Sequence, residues 1–291
     1  MSYEWPLDPH DLFAERYPQM LGLGLPAADI DAVRAAVTDM WADTPGGWAY
    51  EWSRLAGRYA GEGRHDLAVP AYGNAKFPTL ANQPMRRALA HQAEQYQRAA
   101  PTFPRTRILA FDLAGTGETS HVPMTHDGGT EIIDGLIAHA RTIGNGQVAH
   151  FGLSMGGHYS ATTGLTGSVD AAVDLGGPVE AAFTAGRSFA HGMEGIVGNA
   201  LGYDAIPTPG QVAAQLSTFT LRPLFDRDAN APMLVINGAD DVHVPRHDTL
   251  VFQGRRDTRV ELIPGTGHCA VTKLAQVMPI IYDWLTRTLK V

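Results

Sequence analysis

The hydrophobic rhythm of the chain changes once. Over residues 1 to about 100, apolar positions recur every three or four residues in four stretches, Ala27 to Trp41, Trp48 to Gly61, Arg64 to Lys76 and Pro84 to Ala99. Proline and glycine punctuate the gaps, and the period predicts amphipathic helices. From Arg107 onward short apolar runs take over: Arg107 to Leu113, Gln147 to Leu153, Val169 to Leu175, Met233 to Asn237 and Arg259 to Ile263. Runs of this length, separated by helical stretches, predict buried parallel strands. The expected fold class is α/β, a parallel sheet of about five strands with an N-terminal helical region. The division expected is 1–104 for the helices and 105–291 for the core. Between about 178 and 230 the pattern lapses into Gly, Ala, Phe and Met with weak helices, an insertion of the kind that forms a helical lid over a site.

Within the helical region, Trp52-x-x-Leu55-Ala56-x-x-Tyr59 followed by Ala68 and Tyr72 is spaced like one helix-turn-helix repeat of the tetratricopeptide type. A lone unit cannot build a solenoid, since three or more are needed to bury a continuous face. The segment is therefore expected to be a helical hairpin docked on the core, with Trp41, Trp48, Tyr50 and Trp52 inside it.

Chemistry is concentrated at the strand ends. The run Val148 to Phe151 leads into Gly152-Leu153-Ser154-Met155-Gly156. A serine on a tight strand-to-helix turn needs small neighbours on either side, and the helix that follows aims its first amides at a reacting carbonyl. Ser154 is the candidate nucleophile and the Met155 amide a candidate oxyanion donor. The Met233 strand ends in Gly238-Ala239-Asp240-Asp241, and the Arg259 strand in Pro264-Gly265-Thr266-Gly267-His268. The chain order Ser, Asp, His is that of the α/β-hydrolases. Asp241, four residues before Pro245, is preferred as the acid; Asp240 is expected to cap the turn through local backbone bonds. His268 is the expected base, with Asp241 fixing its tautomer.

The other histidines carry less. His243 and His247 have helical metal-pair spacing, but Pro245 lies between them and no third ligand is evident. His121 and His126 fall in a polar loop, and His158 lies in the helix behind the elbow. No metal is expected. Gly115-x-Gly117 lacks the remaining glycine and the helix of a dinucleotide site, so no cofactor is expected either.

Composition narrows the partners. With 291 residues, a net charge of −8 and no basic cluster, the chain is expected to bind neither nucleic acid nor an anionic membrane surface. The start, Met1-Ser2-Tyr3-Glu4-Trp5-Pro6, lacks a signal-peptide pattern and no apolar run reaches spanning length, so a cytoplasmic location is expected. The one cysteine, Cys269, is expected to be a buried small side chain.

Longer blocks carry a family likeness. They are Gly47-Trp48-Ala49-Tyr50-Glu51-Trp52, Tyr72-Gly73-Asn74-Ala75-Lys76-Phe77-Pro78, Ala110 to Glu118, the elbow, Leu175-Gly176-Gly177-Pro178, Val235 to Asp241, and Pro264 to Ala270. In these the chain resembles the FrsA-like esterase family of α/β-hydrolases, in which helices precede the catalytic domain. That resemblance implies a triad of Ser154, Asp241 and His268. It also implies chemistry in the range of esterases, polyketide chain-shortening hydrolases and carbon–carbon hydrolases of aromatic ketones.

One departure matters. The family pattern places three strands and a helix before the Phe111-Asp112 strand, including the Gly-rich turn that supplies the second oxyanion amide. This chain passes from Ala99-Ala100-Pro101-Thr102-Phe103-Pro104 almost directly into Ile108 to Asp112. At least three strands are missing. The Arg107 strand is then expected beside the Val148 strand, with Gly115 and Thr116 as substitute oxyanion donors. The shortened sheet leaves an edge that a second subunit could cover, so a homodimer is a reasonable expectation. The function expected is serine-dependent cleavage of an ester, thioester or activated ketone of a small molecule. The alternatives are a cyclase, lyase or epimerase on the same scaffold, or a binding protein with a relic triad.

Overall fold

The computed structural model describes residues 3–100, 106–184 and 193–291. The chain forms two compact units, one of residues 1–102, 112–124 and 189–207, the other of residues 103–111, 125–188 and 208–291.

The first unit holds α1 (Pro9–Gly22), α2 (Ala27–Ala36), α3 (Trp48–Gly61), α4 (His65–Ala75) and α5 (Gln83–Ala99). The last four answer to the helical periods. Helix α1 was not among the expected ones, although its signal was present: Asp8 caps it by accepting the His10 amide, and Pro9 occupies its first turn. Its Phe13 ring lies 4.7 Å from that of Trp48 and 5.9 Å from that of Trp52, both wholly buried. Trp41 is partly buried against this core, but Tyr50 is exposed. Two residues along a helix is about half a turn, so Tyr50 faces away from Trp48 and Trp52.

The second unit holds the sheet. Strands β1 (Ala149–Leu153), β2 (Ala171–Leu175), β3 (Met233–Gly238) and β4 (Thr258–Ile263) are parallel and lie in chain order. Four of the five expected strands are present. The fifth, Arg107 to Leu113, is irregular over 106–113, and Ile108, Leu109 and Phe111 are exposed. An apolar run becomes a strand only with a ladder partner, and among the described residues this one has none. Among the described residues, strand β1 is therefore an edge of the sheet, as β4 is on the other side.

Both faces of the inner strands are covered, so β2 and β3 are buried at every position and are apolar except for Asp174 in β2 and Asn237 in β3. Ala171, Val173 and Leu175 meet Val277, Ile281 and Trp284 of the C-terminal helix α6 (Leu274–Leu289). The opposite face takes α7 (Met155–Thr166), whose Gly164 lies so close that an added Cβ would be 2.8 Å from the Ala172 methyl. Helix α8 (His126–Ile143) packs beside α7; its cap, Thr125, accepts the Gly128 amide at 3.1 Å and, through its carbonyl, the Tyr159 hydroxyl at 3.0 Å. His126 thus opens a helix and does not lie in a loop. Short α9 (Arg246–Leu250) connects β3 to β4. Part of the expected lid, 185–192, lies outside the described residues. No helix among the described residues is long and apolar enough to cross a membrane.

Candidate active site

The turn after β1 is strained where a nucleophile would sit. Ser154 has φ 53° and ψ −122°, a conformation costly for a residue with a side chain. Its amide donates to the Leu175 carbonyl at 2.9 Å, and its carbonyl accepts the His158 amide at 3.2 Å, so backbone bonds on both sides hold it. Of the two motif glycines only one is forced by contact. A Cβ on Gly152 would lie 2.0 Å from the Gly156 carbonyl oxygen, whereas one on Gly156 would meet nothing. The second tight position is Gly157, whose added Cβ would be 2.4 Å from Asp174 Oδ1 and 2.8 Å from the Gly177 nitrogen.

The loops after β3 and β4 are pressed together. A Cβ on Gly238 would fall 1.9 Å from the Gly267 carbonyl oxygen, and the Asp240 amide donates to the Thr266 carbonyl at 3.1 Å. This brings His268 beside Asp241. His268 Nδ1 is 2.7 Å from Asp241 Oδ2, and His268 Nε2 is 2.8 Å from Ser154 Oγ. An ionised carboxylate only accepts, so Nδ1 carries the proton and Nε2 is left to accept from the serine hydroxyl. The three candidate residues are thus joined in one hydrogen-bonded line.

Asp241 is fully shielded at its side chain. Burial pushes its carboxyl up, but the bonds from His268, Asn237 and the Val244 amide outweigh that and hold it below the ordinary carboxylate value. The local backbone bonds expected of Asp240 are made by Asp241 itself: its Oδ1 accepts the amides of His243 at 2.7 Å and Val244 at 3.1 Å. The His243 ring stands edge-on to His268, with centroids 5.4 Å apart. Among the described residues no group of three or more His, Cys, Asp or Glu could hold a metal ion.

Met155 is the first residue of α7, where a backbone N–H has no acceptor within its own helix. Gly115 and Thr116 belong to the first unit, and their amides are engaged there. The Gly115 amide donates to the Thr119 carbonyl at 3.2 Å and the Thr116 amide to the Leu113 carbonyl at 2.9 Å. The glycines have a local reason: at φ 79°, a Cβ on Gly115 would be 2.1 Å from the Ala200 oxygen, and one on Gly117 would be 1.9 Å from Asp112 Oδ2. The motif is accounted for by its own turn.

Three buried polar groups around the site were not anticipated. Asp248 of α9 accepts four successive amides, Val179 at 3.0 Å, Glu180 at 3.2 Å, Ala181 at 2.7 Å and Ala182 at 2.9 Å. Asp174 accepts the Gly177 amide at 2.6 Å while its Oδ2 has no partner among the described residues; burial raises its pKa to about 7. Asn237, wholly buried, donates to Asp241 Oδ2 at 2.8 Å. His158 is held neutral, its pKa lowered by burial to about 3, with Nδ1 donating to the Pro178 carbonyl at 3.0 Å. Cys269 is buried as expected; its thiol donates to the Leu175 carbonyl at 3.1 Å, and burial raises its pKa strongly.

Neither a known protein-family model nor a curated relative matches the chain. Solved structures do. The chain is similar to a protein described as AbyA5 wildtype, with a TM-score of 0.76 and 17% identity over 95% of this chain and 94% of that one. It is also similar to 2,6-dihydroxy-pseudo-oxynicotine hydrolase, with a TM-score of 0.67 and 16% identity over 94% and 95% of the two chains. Likeness at such identity speaks for fold. With its four-stranded parallel sheet, the strand-to-helix turn at Ser154 and these neighbours, the chain has a truncated α/β-hydrolase fold.

Proposed function

We propose that the chain is a serine hydrolase of the FrsA-like kind, cleaving an ester, thioester or activated ketone of a small, polyketide-like molecule. One observation carries the reading: Ser154 Oγ, His268 and Asp241 stand in an unbroken line of hydrogen bonds 2.8 Å and 2.7 Å long. Ser154 Oγ attacks the carbonyl carbon and its proton passes to His268 Nε2. The Met155 amide receives the oxyanion. On collapse the leaving group takes the proton from His268, and a water, deprotonated by the same nitrogen, releases the acid. Asp241 stays ionised throughout and stabilises the imidazolium.

The test is labelling by a fluorophosphonate. Stoichiometric modification of Ser154, abolished in His268→Ala, is the expected result; an unreactive serine in folded protein sinks the reading.

A second reading is favoured by one observation, the engagement of the Gly115 and Thr116 amides in their own turn. Lacking one oxyanion donor typically costs about 100- to 1000-fold in turnover. A lyase, cyclase or epimerase using His268 as base would need no acyl-enzyme. Turnover kept in Ser154→Ala and lost in His268→Ala would select it.

A further inference from the structure

Asn237, the penultimate residue of β3, makes contacts that reach in two directions. Its Nδ2 donates to Asp241 Oδ2 at 2.8 Å, the same oxygen that faces His268 Nδ1. Its Oδ1 accepts the Cys269 amide at 3.0 Å and the Gly238 amide at 2.8 Å. The orientation is fixed by chemistry, because a carboxylate only accepts and a backbone N–H only donates. The connection then continues. Cys269 donates its thiol proton to the Leu175 carbonyl at 3.1 Å, and that carbonyl also accepts the Ser154 amide at 2.9 Å.

The base sits on a loop that needs such a hold. Cys269 has φ 53° and Ala270 φ 48°, a left-handed stretch that residues with side chains leave unless their surroundings fix it. Gly176 makes room for the arrangement: a Cβ there would lie 2.7 Å from Cys269 Sγ and 3.1 Å from Asn237 Oδ1.

We infer that Asn237 is a positioning residue that ties the acid to the loop of the base and, through Cys269 and the Leu175 carbonyl, to the backbone of the nucleophile. The inference rests on the proposed roles of Ser154, His268 and Asp241. In Asn237→Asp the acceptor oxygen remains, but a second carboxyl group faces Asp241 where a donor stood. Two carboxyl groups at that distance share one proton and titrate as a pair. While the proton is held, the introduced group still donates and the frame is intact. Once it is lost, the two charges repel and Asp241 leaves His268.

The measurement is the rate of Ser154 phosphonylation against pH, with folding checked by circular dichroism. The ratio of Asn237→Asp to wild-type rate is expected near one at low pH, falling about 10- to 100-fold as pH rises, the cost of a small misplacement of a reacting group. A ratio independent of pH overturns the inference. The low-field proton resonance of His268 Nδ1–H, identified by its loss in His268→Ala, supplies a readout that needs no acyl chemistry. It is expected to shift or vanish in Asn237→Asp over the same pH range. A wild-type serine that stays unlabelled while this resonance responds removes the hydrolase reading and keeps the positioning role; an unmoved resonance removes the positioning role. Should Asn237→Asp not fold, Asn237→Ala carries the test, with the same resonance expected to broaden.

Discussion

Asp248 offers the sharpest perturbation of the scaffold under the site. Its carboxylate, 1% exposed, accepts the four amides of residues 179–182, two on each oxygen. Asp248→Asn keeps the shape but turns one acceptor into an NH2, so two of the four amides lose their partner and face a donor. Each orphaned buried N–H costs about 1–3 kcal/mol, which gives about 2–6 kcal/mol before relief from no longer burying a charge. The remaining pair also weakens, because bonds to a charged acceptor are roughly twice as strong as neutral ones. A net loss of about 3 kcal/mol is expected. Urea denaturation with fluorescence from the second unit's Trp284 gives the global figure, and hydrogen exchange resolves its origin, since the amides of 179–182 should lose protection ahead of β2 and β3. A change below about 0.5 kcal/mol with those four amides still protected would refute the reasoning, because that is the range of surface substitutions that touch no special feature.

The elbow glycines give a paired test: Gly156→Ala, with open space at its Cβ, should leave the melting temperature unchanged. Gly157→Ala, blocked by Asp174 and the Gly177 backbone, should destabilise by about 1–3 kcal/mol. Asp174 makes stability depend on pH: with its folded pKa raised to about 7, the native state binds a proton that the unfolded chain releases near its ordinary value of 3.8. Its contribution is complete below that ordinary value and is lost as pH rises through about 7, at most about 4 kcal/mol at 1.36 kcal/mol per unit. Asp174→Asn should therefore gain on wild type between pH 4 and pH 8 in denaturant titrations, and a constant difference across that range would count against it. Cys269, buried with its thiol pushed up, should resist thiol reagents in the native protein and react at one equivalent in urea; rapid native reaction would show the thiol to be accessible.

What the sequence disclosed follows the range of the forces involved. Helices α2 to α5 and the turn at Ser154 are set by neighbours a few residues apart, and they were legible. So was the order of Ser154, Asp241 and His268, because each stands just past an apolar strand. The Arg107 to Leu113 run shows the limit: its side chains suit a strand, but a strand needs a partner, and among the described residues this run has none. Composition cannot report a missing neighbour. Asn237 and Asp248 show the same limit from the other side, since the Cys269 amide that Asn237 accepts lies 32 residues away and the amides that Asp248 accepts lie 66 to 69 residues away. Gly156 and Gly157 are the finest case. Spacing pointed to Gly156, yet the contact that forbids a side chain falls on Gly157, because Asp174 and Gly177 arrive there from β2. The motif therefore marks where the chain must turn, while the identity of the indispensable glycine is decided by the strand that the helix packs against.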